Sequence, residues 1–191
     1  MPRTVDRRER RELLADALMR LAAQQGLEAV SLRHVAAEAG VSTGMVQHYF
    51  RTKDEMMAFA FEMVTDRIRA RSQAAAAPET PRELVRGLLL EILPLDETRR
   101  LENHVVLAFL AYAAVKPSIA AGSRTSAGGM RVFLADQLRA AGVDGVDPDR
   151  GAAGLLALVD GLGLQLLLRR YAEEDAVAVL DAQLALLFGR T

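Results

Sequence analysis

The sequence predicts an all-α protein of about nine helices, and three observations support this prediction. Hydrophobic residues make up 51% of the 191 residues and aromatic residues only 5%, with Ala and Leu, both strong helix formers, prominent among them. Only six prolines interrupt the chain. Apolar residues recur at helical spacing between these breakers, without strand alternation or an internal repeat.

The helix boundaries follow from capping residues, glycines and prolines along the chain. Thr52 and Glu55 form a T-x-x-E capping box at the start of the fourth helix. The alanine run 74–77 with Pro78 and Pro81 marks the clearest internal boundary. The predicted helices span 6–25, 32–39, 43–50, 53–73, 81–93, 96–115, a seventh whose start is obscured by the Gly/Ser-rich stretch 122–129 and which ends near 142, 149–171 and 174–188.

The most informative stretch is residues 31–53, SLRHVAAEAGVSTGMVQHYFRTK, which contains two short helix patterns broken by Gly40. Ser42 is a good N-cap for the second helix, whose inward residues would be Val46 and Phe50. The length of the break suits a helix-turn-helix, although an ordinary helical hairpin in a bundle has the same turn. In a helix-turn-helix the second helix enters the DNA major groove with its N-terminal side chains at the base edges.

This stretch resembles the DNA-binding region of TetR-family transcriptional regulators. The match runs through Gly26-Leu27-Glu28, Ser31-Leu32-Arg33, Val35-Ala36, Ala39-Gly40-Val41-Ser42-x-Gly44 and His48-Tyr49-Phe50-x-x-Lys53-x-Glu55-Met56. The resemblance implies a three-helix DNA-binding domain over residues 1–53 that binds a palindromic operator as a homodimer. The implied DNA-contacting residues are Ser31, Arg33, Ser42, Thr43, Gly44, Met45, Gln47, His48, Tyr49 and Lys53.

Within this set we expect two roles. Lys53 and Tyr49 would contact phosphates, and Gln47 and Arg33 would discriminate bases. Gln47 departs from the commonest family pattern, in which Tyr stands at this position. Because Gln can pair with adenine N6 and N7, the departure changes the expected operator and leaves DNA binding intact.

The charge distribution agrees with a DNA-binding head. The whole chain has a net charge of −1, but residues 1–53 carry +3 and the remainder −4. A basic head on an acidic body is the electrostatic pattern of a small DNA-binding domain joined to a regulatory one. The arginines of the first helix are candidates for phosphate contacts or for a solvated face with local acidic partners: Arg7, Arg8, Arg10 and Arg11.

Other classes of protein are disfavoured. The chain has no cysteine, so it can form neither a disulfide nor a thiolate metal site. His34, His48 and His104 show no metal-ligand spacing, and neither a G-x-S-x-G motif nor a P-loop is present. We therefore expect that the protein is not an enzyme and binds no cofactor. Because the N-terminus lacks an apolar run, we expect a cytoplasmic location. A helical interaction module without DNA binding is the remaining alternative, and the intact family motif argues against it.

The last two predicted helices carry more apolar surface than one chain can cover. The segment 149–171 is apolar on nearly every side, and Asp160 and Gln165 argue against a membrane span. A second copy would complete a four-helix bundle, an arrangement that the family resemblance also implies. The predicted dimer interface consists of Leu155, Leu162, Leu166, Leu180, Leu184 and Leu187.

The remainder of the chain, residues 54–191, is predicted to bind a ligand and to dimerise. Stretches of residues 84–188 loosely resemble the choline-responsive BetI repressors of the family, which implies an apolar cavity for a small-molecule effector. A quaternary-ammonium ligand favours an aromatic cage, and with no Trp nothing in the sequence indicates choline. Candidate lining residues, which plain core packing would equally explain, are Phe59, Met63, His104, Phe109, Tyr112, Met130, Phe133 and Gln165. The predicted mechanism is ligand-released repression, with activation left open.

Overall fold

The structure, a computed structural model, describes residues 7–26, 30–74, 78–142 and 145–189, with the side chains of all but 117–127. Within these ranges it contains nine α-helices and no strand, which confirms the predicted all-α fold. The helices are α1 (Arg7–Gln25), α2 (Leu32–Glu38), α3 (Thr43–Tyr49), α4 (Lys53–Ala74), α5 (Pro81–Ile92), α6 (Glu97–Val115), α7 (Pro117–Ala141), α8 (Pro148–Leu167) and α9 (Glu173–Phe188). Leu27 and Glu28 of the family motif lie outside the described residues.

The chain divides into two compact units. The N-terminal unit comprises Met1–Asp66 and His104–Ala120, and the C-terminal unit comprises Arg67–Asn103 and Ala121–Thr191. Helices α4, α6 and α7 are therefore each divided between the two units. The predicted division at residue 53 is a functional one and stays a prediction.

In the N-terminal unit, α1, α2 and α3 pack on one another. The turn between α2 and α3 is built on Gly40, whose φ of 66° is the left-handed conformation that favours glycine. The Gly40 amide donates to the carbonyl of Ala37 and the Val41 amide to that of Ala36, a Schellman motif that ends α2. Val35, Val46 and Phe50 are buried beneath it, as their spacing predicts.

The C-terminal unit has its own apolar core, formed by side chains of α5, α7, α8 and α9: Val85, Leu89, Leu93, Leu134, Ala135, Leu138, Ala152, Leu155, Val159, Leu162, Leu166, Ala176, Leu180 and Leu184. Beside it, Glu102 of α6 is a buried carboxylate, only 3% exposed. Arg71 donates to both of its oxygens, at 3.1 and 2.8 Å, and to Glu91 at 2.7 Å. A buried charge is tolerated when it is paired in this way, so the cluster joins α4, α5 and α6.

Two predicted boundaries differ from the structure. Helix α8 ends at Leu167 rather than at 171, because Arg169 adopts a left-handed φ of 54°. The Arg169 amide donates to Leu166 and the Arg170 amide to Gln165, a Schellman turn without the usual glycine. Helix α7 begins at Pro117, so the Gly/Ser-rich stretch lies inside the helix instead of delaying it.

Helix α8 is long and apolar enough to span a membrane by length and composition alone. One such helix is weak evidence for a membrane protein, since the core helix of a soluble bundle passes the same test. Here Leu155, Val159, Leu162 and Leu166 of α8 are buried in the core of the C-terminal unit. This packing accounts for one face of the helix without a membrane.

Candidate nucleic-acid interface

Serine caps fix the ends of the two short helices of the helix-turn-helix. The Ser31 hydroxyl accepts from the His34 amide at 3.3 Å, and the Ser42 hydroxyl accepts from the Met45 amide at 3.2 Å. Each hydroxyl uses an acceptor lone pair in this bond and keeps its O–H for another partner. Ser31 and Ser42 can therefore cap their helices and still donate to a phosphate oxygen.

Helix α3 is buried along one narrow line and exposed elsewhere. Val46 is its one fully buried side chain, and Tyr49 is half-buried. Thr43, Met45 and Gln47 are exposed, Met45 to 38%, although an apolar side chain of that size is more often covered. Hydroxyl, thioether and amide groups thus project from the first two turns, the part of a recognition helix that meets base edges.

Gly44 lies on this exposed surface, and the fold gives no reason for glycine there. A Cβ added to Gly44 would meet no atom closer than the Ser42 hydroxyl oxygen, at 3.9 Å, which is ordinary contact. Gly44 is also the second residue of α3, and glycine is a poorer helix former than alanine. The fold does not require glycine at this position. The absence of a side chain at Gly44 leaves room for a DNA backbone to approach.

Basic side chains surround α3, but not all are available to DNA. Arg11 lies over the rings of Phe50 and Phe59, at 4.7 and 4.2 Å, and pairs with Glu55 at 3.6 Å. Arg8 pairs with Glu12 at 2.8 Å and with Asp66 at 3.3 Å. Arg11 is therefore packed within the N-terminal unit, whereas Arg8 forms an exposed pair with a local acidic partner, which was the predicted alternative to a phosphate contact.

Two other arginines are better placed. Arg33 and Arg51 are exposed, and among the described residues neither side chain has a carboxylate partner. Arg33 was among the predicted residues, whereas Arg51 was not, because it lies in the loop between α3 and α4. The Arg51 amide donates to the Glu55 carboxylate at 2.9 Å, which fixes the loop backbone.

The N-terminus of α4 follows directly. The Thr52 hydroxyl accepts from the Glu55 amide at 3.1 Å, and Glu55 reaches back to the Arg51 amide, not to that of Thr52. The predicted capping box is thus present, but its Glu55 carboxylate accepts from the amide one residue before the N-cap Thr52. Lys53, the first residue of α4, and Tyr49 are both half-buried, and His48 is exposed beside Tyr49, with their rings edge to face at 5.1 Å.

The predicted ligand-contacting residues fall into both units. Phe59, Met63, His104, Phe109 and Tyr112 belong to the N-terminal unit, and Met130, Phe133 and Gln165 to the C-terminal unit. Phe109 is buried and stacks on Phe61 at 4.4 Å. The Tyr112 hydroxyl, predicted to orient a ligand, donates to Asp54 at 2.8 Å.

Two hollows in the described residues differ in character from the predicted apolar cavity. One of about 520 Å³ lies in the N-terminal unit, and Phe59 and Met63 share its wall with charged groups: Arg7, Arg8, Arg11, Glu62 and Asp66. The other, of about 400 Å³, lies at the α8–α9 turn and is lined by Arg100, Leu166, Arg169, Tyr171, Ala172, Glu173 and Glu174. The ligand-contacting residues stay a prediction.

The predicted dimer-interface residues require a correction. Leu155, Leu162, Leu166, Leu180 and Leu184 are at most 3% exposed, because they form the core of their own chain. They leave almost no area for a second copy, and only Leu187 of the predicted set is partly exposed. The apolar or small residues exposed on α8 and α9, together with Leu168 at the C-cap of α8, are Ala153, Gly154, Ala157, Gly161, Leu164, Leu168, Ala178, Val179, Ala182 and Leu186.

Comparison with known proteins agrees with this geometry. Residues 14–58 match the family described as "Bacterial regulatory proteins, tetR family", and residues 81–189 match "BetI-type transcriptional repressor, C-terminal". The chain is 37% identical to the HTH-type transcriptional regulator PksA of Bacillus subtilis over 88% of this chain and 83% of that protein.

Solved structures are also similar over nearly the whole chain. A transcriptional regulator from Rhodococcus has a TM-score of 0.84 and 40% identity, covering 93% of this chain and 95% of that one. A regulator from Saccharomonospora viridis, solved in complex with choline, has a TM-score of 0.77 and 25% identity, covering 92% and 95%. These relatives are transcriptional regulators, not enzymes. The chain therefore belongs to the TetR family of transcriptional regulators and has a BetI-type C-terminal domain.

Proposed function

We propose that this regulator is a ligand-responsive repressor that binds a palindromic operator as a homodimer in the cytoplasm. The observation that carries the proposal is helix α3, which is held by Val46 and the Ser42 cap and presents Thr43, Met45 and Gln47 to solvent. A helix fixed on one side and exposed at its N-terminal turns suits the major groove. Arg33, Arg51 and Lys53 would supply the phosphate or base contacts around it.

The proposed dimer uses the exposed faces of α8 and α9. On α9, Ala178, Ala182 and Leu186 recur every four residues, and Leu186 is 75% exposed. On α8, the small residues Ala157 and Gly161 would let a second helix approach closely. One short recognition helix contacts few bases, whereas two copies separated by about 34–36 Å would read both halves of a palindrome.

Ligand control is proposed from the family and from the division of the chain. The C-terminal domain is BetI-type, and a relative of similar structure holds choline. Helices α4 and α6 each run through both units, so a molecule that favours one arrangement of either helix would alter operator binding by its preference for that arrangement. With few aromatic residues in this chain, we propose an uncharged or weakly polar effector of moderate size.

The proposal is tested by measuring binding of the full chain to the DNA upstream of its own gene, with a shuffled duplex of equal length as control. We expect specific binding that weakens steeply with salt. A thermal-shift screen of small molecules, choline included, should then find a compound that raises the melting temperature and releases the DNA. Equal affinity for both duplexes would contradict operator recognition. Specific binding that no stabilising compound releases would instead indicate a constitutive DNA binder.

A further inference from the structure

The first turn of α4 and the last turn of α6 meet at a charged cluster inside the N-terminal unit. The Tyr112 hydroxyl donates to Asp54 Oδ1 at 2.8 Å, and Lys116 Nζ donates to Asp54 Oδ2 at 3.2 Å. Lys116 also donates to the Tyr112 oxygen and lies over its ring, 4.4 Å from the centroid. We call these three residues the Asp54 cluster. The hydrogen bond from Tyr112, aided by Lys116 and by the nearby charge of Lys53, lowers the pKa of Asp54, so the carboxylate is ionised at neutral pH.

A second contact holds the same two helix segments together. Phe61 of α4 stacks on Phe109 of α6, with ring centroids 4.4 Å apart, and Phe109 is 2% exposed. The contacts from Asp54 to Tyr112 and from Phe61 to Phe109 show that these segments run antiparallel. The segment of α6 from His104 onward accordingly belongs to the N-terminal unit, with α1, α2 and α3.

The position of Asp54 beside Lys53 gives the cluster a consequence for DNA. An unheld carboxylate one residue from Lys53 would lie near the phosphate that Lys53 is proposed to contact, and it would repel that phosphate and compete for the ammonium group. In the Asp54 cluster the carboxylate is instead bound by Tyr112, in the last turn of α6, and by Lys116, the residue that follows α6. Its charge is thereby directed toward the end of α6 and balanced by Lys116, with a smaller contribution from the charge of Lys53.

We infer that Tyr112 and Lys116 are positioning residues for DNA binding: by holding Asp54 against α6, they keep Lys53 and the N-terminus of α4 presented to a DNA phosphate. This inference rests on the proposed role of Lys53. It gives Tyr112 a role apart from the predicted ligand contact, which stays a prediction.

A double-mutant cycle between Tyr112→Phe and Lys53→Ala tests the inference, with DNA selected from random sequence by the wild-type chain. Tyr112→Phe changes neither charge nor shape, and we expect it to weaken binding about threefold to tenfold. In the Lys53→Ala background its effect should fall below about twofold, since the residue it positions is gone. Tyr112→Phe should also flatten the salt dependence, as loss of a phosphate contact does.

Three comparisons make the outcome decisive. Tyr171→Phe, which removes the hydroxyl of an exposed tyrosine in the C-terminal unit, should leave DNA binding unchanged. In an Arg33→Ala background, Tyr112→Phe should weaken binding by the same factor as in the wild-type chain. Lys116→Met should weaken DNA binding as Tyr112→Phe does, whereas Lys116→Arg, which keeps the positive charge, should bind DNA as the wild type does. Unchanged or tighter binding by Tyr112→Phe, or an equal loss with and without Lys53, overturns the inference alone. A wild-type chain that selects no DNA removes the proposed function and the inference together.

Discussion

Helices α3 and α9 both have one buried side and one exposed side, but they expose different chemistry. On α3 the exposed residues are small or polar, except Met45, and surround a single buried Val46. On α9 the exposed stripe Ala178, Ala182, Leu186 is apolar and faces away from the core residues Leu180 and Leu184. The comparison separates two kinds of surface: polar groups on a fixed helix suit DNA bases, and an apolar stripe suits a second copy.

The largest expected effect is on stability, and it distinguishes a substitution in the core of α9 from one in its exposed stripe. Leu184→Ala should lower the free energy of unfolding by about 2–5 kcal/mol, because it removes a fully buried side chain and leaves a cavity. Leu186→Glu should leave the chain folded but shift it from dimer to monomer, since Leu186 is 75% exposed within the chain. Chemical denaturation and sedimentation equilibrium measure the two outcomes. A stable dimer of Leu186→Glu would place the interface elsewhere.

On the DNA-binding side, Lys53→Ala should weaken binding to all sequences about equally and reduce the slope of log affinity against log salt by about one. Arg139→Ala is the matched control, because Arg139 is a cation of the C-terminal unit paired with Asp136 and Asp149. Fluorescence anisotropy over a salt series measures both variants. If the slopes of Lys53→Ala and wild type coincide, Lys53 does not contact a phosphate.

A smaller effect tests whether Gly44 serves DNA or the fold. Gly44→Ala should preserve or slightly raise stability, since its Cβ meets nothing within 3.9 Å, yet weaken operator binding by crowding the DNA backbone. Gly87→Ala on α5 is the control, since its Cβ also meets nothing within 4 Å. It should leave DNA binding unchanged. Thermal unfolding with parallel binding titrations distinguishes them, and equal operator affinity for both variants would argue against close approach at Gly44.

The smallest expected effect concerns Asp160 on α8. Partial burial raises the pKa of Asp160, although the residue as a whole is exposed to solvent. A folded-state pKa above the unfolded value means that the ionised form is disfavoured by folding, so stability from this group rises as pH falls through the folded pKa. Asp160→Asn should therefore be slightly more stable than wild type at pH 7, and the difference should vanish below about pH 4. A difference that persists in acid would assign the effect to something other than ionisation.

The helix-turn-helix could be predicted closely from the sequence because its determinants are local. Ser31, Ser42 and Gly40 set the helix ends through bonds to residues within four or five positions. The end of α8 was predicted wrongly because no local signal of this kind marks it in the sequence. Arg169 takes the left-handed position that usually signals glycine, so no residue in the sequence marks the stop.

Residue roles that depend on tertiary packing were not predictable in this way. Leucines at helical spacing show that a face is buried, but not whether it is buried by the same chain or by another, and so Leu180 and Leu184 were assigned to the interface. Arg11 likewise cannot be distinguished in sequence from a DNA-contacting arginine, because Phe50, Phe59 and Glu55 reach it only in the fold. Spacing along α6 placed Tyr112 on an inner stripe without revealing Asp54.

The measurement that tests the account most directly is parallel selection from random DNA by the wild-type chain and by Gln47→Ala. Wild type should select a palindrome whose half-sites are centred about 34–36 Å apart. Gln47→Ala should retain that spacing and lose preference at one base pair in each half-site, corresponding to about 1–3 kcal/mol of discrimination. Identical selected sequences for both proteins, or no palindrome from wild type, would contradict the proposal that α3 reads DNA as one half of a dimer.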